Sequence, residues 1–285
     1  MLRTATLALL LLATGAPYAA GQDQGSGSAS SNATQTTPPA SDRAVDPSQP
    51  DFTLIALPTT LRMPKFASAF RVTHRFTRAL GNGDFGDLVG DAFGLDGGAQ
   101  IGLEYRFGIM SGTQIGIHRT NDRTIEFFSQ HQLIRQAEHR PVGIDVFAAI
   151  EGADNFSEHF SPSLGAVISR TIGKYGAFYA HPIWINNTNT LPSELIDHNN
   201  TFILGLGTRL RVRPTVYVVV EAAPRLAGND PNSTQIAFGI EKRAGGHSFQ
   251  LNFSNNLATT LAPIARGGAD YDTWYLGFNI SRKFF

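Results

Sequence analysis

The chain ends Tyr271-Asp272-Thr273-Trp274-Tyr275-Leu276-Gly277-Phe278-Asn279-Ile280-Ser281-Arg282-Lys283-Phe284-Phe285. Trp274, Leu276, Phe278 and Ile280 fall on one side of a two-residue period, and Tyr275, Gly277, Asn279, Ser281 and Lys283 on the other. Period two is the side-chain alternation of a β-strand. A strand apolar on one face, small or polar on the other and aromatic at both ends reads as the closing strand of a transmembrane antiparallel β-barrel. Two residues strain the pattern: the apolar register runs to Phe284, so Phe285 is out of phase, and Arg282 falls in that register, where a charge is tolerable only at a rim.

Upstream, eleven more segments alternate with period two between turn-forming residues. The twelve lie near 66–77, 98–108, 112–119, 123–133, 141–151, 162–172, 174–185, 200–211, 215–225, 234–243, 246–255 and 272–284. Most are long enough for a tilted strand to cross about 25–30 Å of hydrocarbon. The connections give a second signal. Those at 78–97, 152–161, 186–199 and 256–271 are long and all follow odd strands, whereas 109–111, the turn around Gly173, 212–214 and 244–245 are tight and follow even ones. Short periplasmic turns on one rim and long external loops on the other produce this parity when both termini are periplasmic.

Facing is the third signal. In the first segment Phe70, Val72 and Phe76 share a face with the odd His74, opposite Arg71, Thr73 and Arg75. Carried along the chain, the inward register holds Arg71, Arg75, Glu104, Arg106, Glu126, Asp145, Glu151, Arg209, Arg211, Glu221, Glu241, Arg243 and Lys283. Those seven bases and six acids are the expected lumen charge ring. Trp274, Phe278, Phe284 and Phe285 are the expected girdle of the closing strand. Glycines such as Gly102, Gly205, Gly207 and Gly277 also fall inward, which marks curvature or the close approach of another chain.

The start of the chain is different in kind. Arg3 followed by the apolar run Ala5 to Ala13 reads as a secretory signal over residues 1–21, too short to span a bilayer. Residues 22–60 are dominated by Ser, Gln, Thr, Gly and Pro and read as a disordered periplasmic linker. Within it Thr53 to Leu57 is briefly apolar and reads as an ordered lead-in to the first strand, with a plug entering the barrel as the alternative. The barrel is expected over 61–285.

Composition excludes several functions. Among 285 residues, 23 basic and 23 acidic side chains cancel, so the basic face of a nucleic-acid binder is missing. With no Cys there is no disulfide, thiolate metal site or c-type haem attachment. Gly81-Asn82-Gly83-Asp84-Phe85-Gly86 has the spacing of a dinucleotide motif but lies between antiparallel strands, and Asp84 would repel phosphate. Asp84, Asp87, Asp91 and Asp96 could hold calcium, but Phe85, Leu88, Val89 and Phe93 at helical spacing favour a short amphipathic helix with solvated acids. The eight histidines form no HExxH, and His247 and Ser248, being adjacent in a strand, point to opposite faces. No catalytic residue, metal ligand or cofactor is expected.

Leu57-Pro58, Met63-Pro64-Lys65, Phe70-Arg71-Val72-Thr73-His74-Arg75-Phe76, Phe93-Gly94-Leu95-Asp96-Gly97-Gly98-Ala99 and Leu103-Glu104-Tyr105 resemble an uncharacterised bacterial family, a domain of unknown function. The resemblance covers the first four strands and the C-terminal strand, and implies an outer-membrane barrel without an activity. The terminal Phe resembles the signal read by the outer-membrane insertion machinery, which with outer-membrane lipid is an expected partner. The reading that fits best is a narrow or nearly closed channel for small polar solutes. The rivals are a structural or docking barrel that binds a periplasmic or surface partner, and a lipid-modifying enzyme.

Overall fold

A computed structural model describes residues 45–191 and 193–285. The signal at 1–21 and the linker from 22 to 44 lie outside the described residues. Thirteen strands are described: β1 Ser68–Ala79, β2 Ala99–Met110, β3 Thr113–Thr120, β4 Ile125–Ile134, β5 Gly143–Gly152, β6 Glu158–Ile172, β7 Gly176–Asn186, β8 Asn200–Arg213, β9 Val216–Ala223, β10 Arg225–Gly228, β11 Gln235–Ala244, β12 His247–Ser254 and β13 Tyr275–Phe284. Three short helices, α1 Phe85–Gly90, α2 Ala153–Phe156 and α3 Leu261–Arg266, sit in the connections.

Every strand pairs antiparallel with its neighbours. Both β9 and β10 pair with β8, and they are one crossing broken at Pro224, which has no N–H to give the ladder. The result is a closed twelve-strand barrel in which β13 joins β1, with Arg71 opposite Ser281 and Val72 opposite Ile280. Closure leaves no edge, so the backbone is satisfied without water, which a membrane demands.

Sidedness follows the expected register. On β2, Leu103 and Tyr105 are 50% and 44% exposed on the outer wall, while Glu104 and Arg106 between them are buried. On β13, Asn279, Ser281 and Lys283 are buried and Ile280 and Phe284 face out. Arg282, on the outer face near the chain end, lies over the Phe284 ring at 5.2 Å. His74, the odd polar residue of the outer face of β1, is stacked on Phe278 at 4.7 Å instead of making a hydrogen bond, and its Nδ1 has no partner among the described residues.

The termini of the barrel share a rim with the tight turns, and the long connections share the other. The connection between β5 and β6 is shorter than the expected 152–161, because β6 begins at Glu158; α2 occupies it with Asp154 and Asn155 left-handed. The expected amphipathic helix is present as α1. Asp84 caps it by accepting from the Asp87 N–H, and the Asp87 side chain accepts from the Asp84 N–H, both at 3.0 Å. None of its residues is buried.

The largest departure is at the N-terminus. Residues 48–61 are buried, so the chain expected to be disordered to residue 60 and then to lead straight into β1 instead occupies the lumen. The plug, the minor alternative in the sequence, is the arrangement found. From the loop rim, the β12–β13 connection also folds inward and buries Leu261, Ala262, Ile264 and Ala265. Leu54, Ile55 and Leu57 of the plug and these α3 residues join one apolar cluster with Ile183, Ile203 and Val219 of the wall. This explains β7, whose sequence is apolar on both faces: one faces outward, and the other packs in the lumen.

Candidate functional site

The site is the filled lumen. Its centre is a hairpin. The Leu54 N–H donates to Leu57 O and the Thr59 N–H to Phe52 O, each at 2.8 Å, and Thr53 bridges Pro58. The four-residue apex therefore carries N–H and C=O groups without partners of its own, at a depth where each would be costly if left unpaired.

The wall supplies those partners. Glu221 on β9 accepts three successive N–H groups: Ile55 at 3.0 Å, Ala56 at 3.0 Å and Leu57 at 3.1 Å. The carbonyls are met by donors from around the ring. Arg209 gives Nη2 to Thr53 O at 2.6 Å, Gln250 gives Nε2 to Leu54 O at 3.0 Å and Asn279 gives Nδ2 to Ile55 O at 2.9 Å. His181 Nε2 is 2.7 Å from Pro58 O, and Gln130 Nε2 donates to Thr59 O at 2.7 Å. Inward glycines give the hairpin room. A Cβ at Gly207 would lie 2.2 Å from Leu54 Cδ1, so a side chain there collides with the apex.

The hairpin is also pinned at its base. Asp51 accepts from the Ser281 hydroxyl and lies 3.6 Å from Lys283 Nζ. Burial pushes the Asp51 carboxyl up, but Lys283, Ser281 and Arg209 outweigh burial and hold it below the usual carboxylate range. At the tight-turn rim, Tyr179 and Tyr217 hydroxyls donate to Gln49 and to Pro47 O, each at 3.0 Å.

Most of the expected charge ring is brought together. Arg71, Arg75, Glu104, Arg106, Glu126, Asp145, Glu151, Arg209, Glu221, Glu241 and Lys283 are all buried inside the wall. Arg209 pairs with Glu241 at 2.8 Å, and Arg71 pairs with Glu104 at 2.7 Å. Arg106 holds the other oxygen of Glu104. Glu126 and Glu151 face each other across β4 and β5, and Glu126 accepts the Leu261 N–H at 3.0 Å, which ties α3 to the wall. Arg211 and Arg243 depart from the expectation: they are only half-buried, and Arg211 donates to Pro214 O at the turn, because the lumen ends at that rim.

Of the girdle residues, Trp274 packs edge-on against Phe238 at the loop rim, and Phe278 and Phe284 lie on the outer wall. Phe285 does not. It turns in to meet Phe52 at 6.3 Å and belongs to the inner apolar cluster at the base of the hairpin, as its out-of-phase position requires. The inward register contained His181, Gln130, Gln250 and Asn279 too, but an uncharged polar side chain there gave no sign that it grips a backbone. Free volume remains at both ends: about 400 Å³ at the tight-turn rim and about 200 Å³ at the loop rim, with about 20 Å³ between them beside Arg71 and Glu126.

The sequence pattern of a family described as membrane bound beta barrel domain (DUF5777) matches residues 51–284. No curated protein matches the chain. Among solved structures, NanC porin superposes with a TM-score of 0.50 at 8% identity, over 77% of this chain and 99% of that one. An outer membrane channel from Pseudomonas putida F1 gives 0.46 at 12% identity, over 78% and 97%. A mutant of Rh. blastica porin gives 0.34 at 10% identity, over 65% and 55%, so the chain spans about half of that porin. At such identities the likeness is one of fold.

Proposed function

The chain belongs to that family of membrane-bound β-barrels and sits in the outer membrane, and from this premise we propose that it is a channel for small polar solutes that rests closed. The observation that carries the reading is the hairpin. A barrel that only needed to be filled could be filled by apolar side chains, as compact cores are. Here the main obstruction is a strap of chain entering from the periplasmic rim, whose backbone is held by hydrogen bonds and whose base is held by an ion pair, beside the apolar cluster that its apex shares with α3.

Two recesses, one at each rim, stop short of each other at the apex of the strap and at α3. Withdrawing the strap together with α3 would join them along a wall of opposed charges. Because those charges nearly balance, the open state would be weakly selective between anions and cations.

Planar-bilayer recording of the mature protein tests this. The wild type should give rare, small openings, and weakening the hold on the hairpin should make them frequent. Silence in both wild type and a variant lacking residues 45–60, with the barrel still folded, overturns the channel.

A further inference from the structure

We infer that Arg75 is a binding site for a small carboxylate entering from the loop rim. Calling that carboxylate the channel's solute rests on the channel reading; the site itself does not.

Arg75, inward on β1, is fully buried. Its Nη1 is used: it donates to His74 O at 3.0 Å and Asn279 Oδ1 at 2.9 Å. Its Nε and Nη2 have no hydrogen-bond partner among the described residues. Those two N–H groups point in parallel from one edge of the planar guanidinium. That edge is the fork that receives both oxygens of a carboxylate.

Charge around the fork is unbalanced in the required sense. Arg71 and Arg106 both spend themselves on the single carboxylate of Glu104. Glu221, the other nearby acid, is engaged by three N–H groups of the hairpin. One buried guanidinium is therefore left without a carboxylate, which favours a planar anion of single charge.

Other inward polar groups of this part of the wall are also without partners among the described residues. Thr73 Oγ1 and His118 Nε2, both buried and without partners among the described residues, lie 2.5 Å and 2.3 Å from where a Cβ of residue 102 would stand. Only glycine leaves that space to them. Gln100, directly across the strand pair from Arg75, and Thr120, directly across from Gly102, line the recess of about 200 Å³ under the β12–β13 connection.

The test is binding of acetate to the purified full-length mature protein in detergent, read as a saturable rise in unfolding temperature, with chloride and inorganic phosphate at matched ionic strength. Acetate should stabilise and chloride should not. Arg75→Gln should weaken the acetate response by roughly tenfold or more, the scale of hydrogen bonds to a charged group. Arg75→Lys, which keeps the charge and loses the fork, should weaken it too. Heat-modifiable gel mobility establishes that each variant is folded, and if Arg75→Gln is not, Arg75→Lys carries the test. An acetate response unchanged in a folded variant, no response in the wild type, or phosphate binding more tightly than acetate overturns the assignment. Binding without conductance removes the channel and leaves the site; conductance without acetate binding does the reverse.

Discussion

Glu221 is where the closed lumen is most exposed to a single substitution. Its carboxylate is the acceptor for three consecutive N–H groups at the hairpin apex. An unsatisfied buried donor costs about 1–3 kcal/mol, so Glu221→Ala should remove several kcal/mol from the docked state. The expected outcome is a lower unfolding temperature together with frequent channel openings; Glu221→Gln, which keeps one acceptor oxygen, should fall between. Asp51 gives a pH handle at the base of the same hairpin. Its carboxyl is held below the ordinary value when the hairpin is docked. A depressed folded-state value contributes stability that is complete above the unfolded value of about 4 and is lost as pH falls through the folded one. The Asp51 contribution to docking should therefore be constant near neutrality and be lost only on the acid side of the ordinary carboxylate range. Asp51→Asn should remove that acid-side loss, as read by unfolding temperature against pH.

At the scale of elements, the strands were legible and their contents were not. Alternation is written locally in each segment, so Arg71, Glu104 and Arg209 could be placed inward one strand at a time. The hairpin could not be found that way. Thr53 to Leu57 is a short apolar run whose partner Glu221 lies 166 residues from Ile55, and nothing local pairs the two. The same limit hid the inward fold of α3: Leu261 meets Glu126 across 135 residues. The reverse held for α1, whose helical spacing was local and so was readable, although its Asp84 cap appeared only in the structure. Deleting residues 45–60 should raise conductance and lower stability together, because Arg209, Glu221 and Gln130 lose partners at once. Ile264, fully buried on α3, makes the matching test from the other rim. Ile264→Asp would place a carboxylate in the apolar cluster, so the β12–β13 connection should swing out. Trypsin added to intact cells should then cut after Arg266, and leave the wild type whole.

For the molecule as a whole, the controlling fact is that the barrel is built inside out relative to a soluble one. Its charges meet each other and a strap of backbone within the ring, while Leu103, Leu251 and Phe249 stand half exposed on the wall. That inversion was readable because a lipid face tolerates so few mistakes: Arg282 sits in the outward register, but two residues from the end of β13, where its guanidinium reaches the rim over Phe284. The strand count was readable for a related reason, since closure requires every crossing to reach its neighbour, and the longest loops all fall on one rim. Leu251 lies near the middle of β12 and is 50% exposed. An arginine there has no rim within reach, and should cost about 2–4 kcal/mol in folding into lipid vesicles. Gln250, one residue away, points inward and donates to the hairpin and to Glu241. Gln250→Ala should instead leave insertion intact and loosen the strap, raising conductance. If Leu251→Arg folded into vesicles as readily as wild type, the outer wall would not be facing acyl chains, and the membrane assignment would fall with it.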